Sequence, residues 1–139
     1  MTNGGVWDEN YRRRGRLWAG GVTGIPSLPA EGRILELGCG NAKTLAAVGG
    51  DPRRITGIDI SRHALDLARG VAPAAAFCQA DARRLPFRDR TFTAVIAFHI
   101  TGHLPADGRA ALAGEALRVL APGGILCIRE FSTGDFRCG

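Results

Sequence analysis

A doubly wound, mostly parallel α/β sheet is the fold this sequence predicts, and three observations predict it. From Arg33 onward, short apolar runs alternate with segments of helical period. The runs are continuously apolar rather than alternating apolar and polar, as expected of strands covered on both faces. The first two runs each end in a carboxylate, Glu36 and Asp59, and the first leads into Gly38-Cys39-Gly40. A turn of that kind brings bare backbone up to a ligand, because glycine lacks a Cβ and tolerates positive φ. A carboxylate closing the second strand lies where it can grip a ribose.

Each element follows from local pattern. Residues 6–20 carry Val6, Trp7, Tyr11, Leu17 and Trp18 among charges, a short amphipathic helix, before Gly20, Gly21, Gly24, Pro26 and Pro29 break the chain. Ile34–Leu37 is the first strand, Asn41 to Val48 a helix, and Ile55–Ile58 the second strand. Ser61 is the N-cap of a helix through about Arg69, with Ala64, Leu65 and Ala68 on one face and Gly70 as its stop. Ala74–Cys78 is the third strand and Phe92–Phe98 the fourth. Asp107 to Leu120 is helical, with Leu112, Ala116, Leu117 and Leu120 at helical spacing. Pro122-Gly123-Gly124 turns the chain into a fifth strand, Ile125–Ile128. Right-handed crossovers wind the helices over both faces, and the ligand is expected at the carboxyl ends, near the switch between strands one and four. The domain expectation is an N-terminal helical lid or linker over 1–30 and a core over 31–139. That core looks truncated after the fifth strand, which is left as an apolar edge open to pairing with a second copy.

Bulk properties narrow the class. A chain of 139 residues with 45% hydrophobic content is one domain with a real core. It contains no apolar run long enough to span a membrane, and Met1-Thr2-Asn3-Gly4-Gly5 does not begin a signal peptide. Cys39, Cys78, Cys127 and Cys138 lack C-x-x-C spacing, so neither a zinc site nor a disulfide framework is expected. Reduced thiols in a cytoplasmic protein are the expectation, with no metal. The net charge is +5 with Lys43 the only lysine, and Arg12-Arg13-Arg14 with Arg16 reads as a solvated helix face. Nucleic-acid binding is not expected, because no recognition motif accompanies the basic run.

Three nucleoside ligands compete for the Gly38 turn. A dinucleotide fingerprint needs a third glycine, and Lys43 occupies that position. A phosphate-cradling P-loop ending in Lys43-Thr44 lacks both of its glycines, with Leu37 and Ala42 in their places. The third is S-adenosylmethionine (SAM). Five segments in order, Ile34–Gly40, Gly57–Ser61, Gln79–Ala82 with Leu85-Pro86-Phe87, Phe92–Ile96 with His103-Leu104-Pro105, and Leu117–Gly124, resemble the class I SAM-dependent methyltransferases. Their nearest branch resembles small-molecule enzymes of the quinone-biosynthesis type, on a Rossmann-like fold. One departure is Ala42 at the third loop glycine of that family.

The resemblance implies roles. Gly38, Cys39 and Gly40 would pass the backbone against the methionine portion, and Glu36 would support that loop or reach the ammonium. Asp59 would accept the ribose hydroxyls, and Ile60 would pack on adenine. Asp81 would accept from the adenine amino group beside the Ala82 N–H. Phe98 and His99 would lie under the sulfonium. His99 or His103 is the candidate base for a phenol or carbon acid. Each polar residue has a plainer reading as well: Glu36 as a loop cap, Asp81 as a turn acceptor ahead of Arg83 and Arg84, and His103 as a packed or helix-start residue. The expected activity is in-line methyl transfer to a small-molecule acceptor, leaving S-adenosyl-L-homocysteine (SAH). The end of strand four, Ala97-Phe98-His99-Ile100, lacks the Asn/Asp-Pro-Pro-aromatic motif of amino-directed DNA methyltransferases. Two alternatives stay open: a SAM-binding module without catalysis of its own, and an NAD-dependent oxidoreductase on the same topology. Trp7, Tyr11 and the Arg run could form a lid, since aromatics suit a sulfonium.

Overall fold

The structure, a computed structural model, describes residues 27–40, 44 and 51–130. The expected helix over 6–20, the lid, Cys138 and most of the helix expected from Asn41 to Val48 lie outside the described residues; within that last segment Thr44 is helical and buried.

Five strands form one sheet in the order β3-β2-β1-β4-β5. They are β1 (Ile34–Leu37), β2 (Ile55–Asp59), β3 (Ala76–Gln79), β4 (Phe92–Phe98) and β5 (Leu120–Arg129). Every pairing is parallel, with Ile34 opposite Ile55 on one side and Ala94 on the other. The order reverses between β1 and β4, so the expected switch point is present, and the loops after these two strands converge there. Helix α1 (Arg62–Val71) covers one face and α2 (Ala106–Val119) the other. Alternate residues of β4 supply both cores. Val95 and Ala97 pack with Leu35, Leu37 and the α2 residues Leu112, Ala116 and Val119; Ala94 and Ile96 pack with Ile34, Leu65 and Ala68. Burial on both faces is why these strands read as unbroken apolar runs.

Several features differ from expectation. Helix α1 is capped by Ser61, whose hydroxyl accepts from the Ala64 N–H, but it runs through Gly70 to Val71. Pro73 stops it instead, since proline excludes the preceding residue, Ala72, from helical backbone. Strand β3 begins two residues later than expected, because the Ala75 N–H is spent on a turn to the Ala72 carbonyl. On α2 the buried stripe is Gly108, Leu112, Ala116 and Val119, whereas Leu117 lies off it and is 62% exposed. Finally, β5 starts at Leu120 rather than Ile125. Phe92 faces Leu120 and Ala94 faces Ile125, so Pro122-Gly123-Gly124 is an outward bulge inside a strand, with Gly123 at φ +77°.

Candidate functional site

The loops at the carboxyl ends of β1, β2 and β4 close on one another. After β1 the backbone turns through Gly38 (φ +68°) and Gly40 (φ +52°), a left-handed region that a Cβ makes costly. A Cβ on Gly38 would also stand 2.9 Å from Ile100 Cδ1, so the loop after β4 approaches as near as glycine permits. Between the glycines, the Cys39 N–H donates to the Ile58 carbonyl at 2.9 Å and the thiol is buried. Burial pushes that thiol's pKa well up, which makes it a packing group.

Asp59 ties two loops together. Its Oδ2 accepts from the Gly40 N–H and its Oδ1 from the Ser61 N–H, both at 2.9 Å. Its carbonyl accepts from the Ala80 N–H at 3.0 Å, which extends the tie to the end of β3. Burial raises the Asp59 pKa, and the backbone donors only partly offset this. Glu36 is buried on β1, and its Oε2 has no hydrogen-bond partner among the described residues. Its pKa stands well above the ordinary carboxyl value, chiefly through desolvation and then through the Asp59 charge. Two carboxyl groups thus lie under the glycine turn, one sealed and one bound to backbone.

The remaining expected residues follow the carboxyl ends of β2, β3 and β4. Ile60 is half-buried, and its carbonyl accepts from Gln79 Nε2 at 3.0 Å. Ala82 is buried in the α2-side core. Asp81 is held in a fork by Arg83: Oδ2 accepts from a terminal guanidinium nitrogen at 2.7 Å and Oδ1 from Nε at 3.0 Å, while Oδ1 also accepts from the Arg83 N–H. The turn-acceptor geometry of the plainer reading of Asp81 is therefore present. The ion pair with Arg83 lowers the Asp81 pKa, so it is a ready acceptor. The Phe98 ring carries the Arg129 guanidinium at 4.4 Å from its centroid. His99 follows in left-handed backbone at φ +58°, with its N–H bonded to the Arg129 carbonyl at 2.7 Å. Such a conformation is uncommon for a residue with a side chain and gathers at functional sites. His103 lies in a one-turn 3₁₀ helix, Thr101–His103, and is exposed.

Sequence reasoning missed Glu130. Its Oε1 accepts from the Thr101 N–H at 2.7 Å and from the Thr101 hydroxyl at 2.6 Å, pinning the loop after β4 to the end of β5. The signal was present: like Asp59, Glu130 is a carboxylate at the carboxyl end of a strand, here one residue beyond β5. Among the described residues there is no cluster of metal-binding side chains and no helix long and apolar enough to cross a membrane. Cys39, Cys78 and Cys127 are free thiols.

A parallel sheet with a glycine turn and two strand-end carboxyls at its switch point defines a nucleoside-binding α/β domain. Within that class, the profile described as "Methyltransferase domain" matches residues 34–124, and the chain belongs to that family, the class I SAM-dependent methyltransferases. A demethylmenaquinone methyltransferase of Beutenbergia cavernae is 36% identical over 120 residues, covering 85% of this chain and 48% of that protein. A 2-methyl-6-phytyl-1,4-hydroquinone methyltransferase of Synechocystis sp. is 33% identical over 125 residues, covering 82% of this chain and 36% of that protein. Among solved structures, a Pyrococcus horikoshii OT3 protein superimposes with a TM-score of 0.64 at 30% identity, over 70% of this chain and 48% of the other. A SAM-dependent methyltransferase of Thermotoga maritima, titled a possible histamine N-methyltransferase, superimposes with a TM-score of 0.62 at 25% identity, over 73% of this chain and 44% of the other. The chain spans about half the length of these relatives, or less.

Proposed function

We propose that this chain is the SAM-binding core of a methyltransferase that acts on a small aromatic acceptor of the hydroquinone class. The observation that carries the reading is the cradle at the switch point: Gly38 and Gly40 bare the backbone while Glu36 and Asp59 lie buried beneath it. Its chemistry fits SAM. The buried, unpartnered Glu36 Oε2 suits a cationic tail, and Asp59, already shaped by two N–H donors, suits a sugar diol. No phosphate cradle is present in the motif, and SAM needs none. The acceptor class rests on the quinone-type relatives.

When bound, SAM supplies a methyl carbon made electrophilic by sulfonium. The chain's residues orient and desolvate. Gly38, Cys39 and Gly40 flank the methionine portion; Glu36 supports the loop or reaches the ammonium through a hydrogen bond. Asp59 accepts from the ribose hydroxyls, Ile60 packs on adenine, and Asp81 with the Ala82 N–H reads its edge. Phe98 and the backbone around His99 form the floor near the sulfonium. The acceptor loses a proton as its new bond to carbon forms, and His99 or His103 takes that proton. Holding nucleophile, carbon and leaving group in line supplies most of the rate. Trp7 and Tyr11 over the site as a lid, and β5-to-β5 pairing of two copies, complete the proposal.

Calorimetry tests it. SAH should bind the wild-type chain, and Asp59→Asn should weaken binding by roughly 10- to 150-fold, the loss of a charge-assisted bond of about 1.5–3 kcal/mol. Binding of NADH with none of SAH would overturn the reading. With radiolabelled SAM and a panel of hydroquinones and thiols, label should pass to hydroquinones. His99→Ala or His103→Ala should lower kcat for phenolic acceptors by about 10²-fold; unchanged rates in both would remove the base from the mechanism.

A further inference from the structure

Arg118, in the last turn of α2, lies beside the amino ends of β4 and β5, away from the glycine turn, and its guanidinium makes five hydrogen bonds. One terminal nitrogen donates to the Phe87 carbonyl and to Asp89 Oδ1, both at 2.8 Å. The other donates to the Leu85 carbonyl at 3.1 Å and to Glu115 Oε2 at 3.0 Å, while Nε donates to Glu115 Oε1 at 2.8 Å. Glu115 completes the frame by accepting the Leu85 N–H at 2.7 Å. Glu115 and Arg118 sit one turn apart and hold each other, so each arrives prealigned. All of their loop contacts fall between Leu85 and Asp89, the segment that follows the Asp81-Ala82 turn.

That turn is fixed at three points. The Ala80 N–H is bonded to the Asp59 carbonyl, the Arg84 N–H to the Asp81 carbonyl, and the Leu85 N–H to Glu115. Leu85 and Ala82 are both buried in the core cluster that also holds Leu37 and Ile58, near the carboxyl ends of β1 and β2. Displacing Leu85 therefore displaces Ala82 and the carboxylate beside it. We propose that Glu115 and Arg118 are positioning residues for the base-reading end of the cofactor site, acting through Leu85 to hold Asp81 and the Ala82 N–H in register. This rests on the SAM reading above, with Asp81 facing the adenine amino group. The planar guanidinium is required, because a lysine cannot address two carbonyls and two carboxylates at once.

The test compares SAH with S-inosylhomocysteine, in which the adenine amino group is replaced by a carbonyl oxygen. Calorimetry would be run on the full chain, on Glu115→Gln and on Arg118→Lys, with thermal unfolding in parallel. The wild type should prefer SAH by at least tenfold. Both variants should lose most of that preference through weaker SAH binding, with the inosyl ligand held near its wild-type affinity. A merely structural role would weaken both ligands alike. Equal weakening, or a preference kept intact, overturns the inference while leaving the SAM site standing. A wild type that binds neither ligand overturns both. Should a variant fail to fold, the wild type still decides: hydrogen exchange at the Leu85 amide should slow at least threefold on SAH binding and no more than slightly with the inosyl ligand, and identical protection by the two refutes the inference.

Discussion

Glu36 holds a carboxyl group sealed in the sheet, with one oxygen unpartnered among the described residues and Asp59 as its charged neighbour. Its folded pKa lies well above that of an unfolded glutamate, about 4.3. Below that pH both states keep the proton. Above it, the unfolded chain ionises while folded Glu36 retains its proton, so the native state binds more protons and stability falls as pH rises. Asp59 is raised as well and adds a slope of the same sign. Glu36→Gln, which has no proton to lose in either state, should therefore gain stability relative to the wild-type ligand-free chain as pH rises above the unfolded glutamate value. It should also flatten that fall in stability with rising pH in urea titrations and weaken SAH binding. A variant that follows the wild-type curve in parallel would show that Glu36 ionises freely. The motif spacing made this residue a candidate; its isolation depends on β2 and β4 flanking it, which no local pattern encodes.

At the scale of elements, α2 and the turn into β4 give the sharpest contrasts. Leu112 is buried on the α2 stripe and Leu117 is exposed, although both looked apolar and correctly spaced in the sequence. Leu112→Ala should cost 2–5 kcal/mol, roughly the range for a buried leucine. Leu117→Ala should stay within about 0.5 kcal/mol, as exposed sites do. Denaturant midpoints read both, and equal losses would mean that α2 is rolled about its axis. Arg90 enters β4 in left-handed backbone at φ +55°, with its N–H bonded to the Arg118 carbonyl. Arg90→Gly keeps that bond and should gain roughly 1 kcal/mol by relieving the Cβ clash. A destabilised Arg90→Gly would mean that the arginine side chain repays its backbone cost.

Over the whole molecule, the sheet presents β5 as an edge among the described residues, with Ile125 37% and Ile128 53% exposed. A long apolar edge invites strand pairing. The bulge at Pro122-Gly123-Gly124 interrupts its first half, so the stretch from Ile125 to Arg129 is the part suited to a second copy. Sedimentation velocity should show concentration-dependent dimers that Ile128→Lys disperses without changing SAH affinity. A monomer at all concentrations would remove the pairing from the proposal.

Strand and helix content, the glycine turn and the carboxylates of the first two strands were legible in the sequence by itself. Each is written in a few neighbouring residues, through apolar runs, a cap such as Ser61 and residues without a Cβ. The family resemblance could be read for the same reason, from five local motifs in order. Other features came only with tertiary structure. The Arg118–Glu115 frame joins residues about thirty positions apart, Glu130 reaches Thr101 between the ends of neighbouring strands, and Leu117 faces water. Periodicity says that a face is apolar but not where the sheet lies, and hydrogen bonds between distant segments exist only once β1 and β4 are side by side.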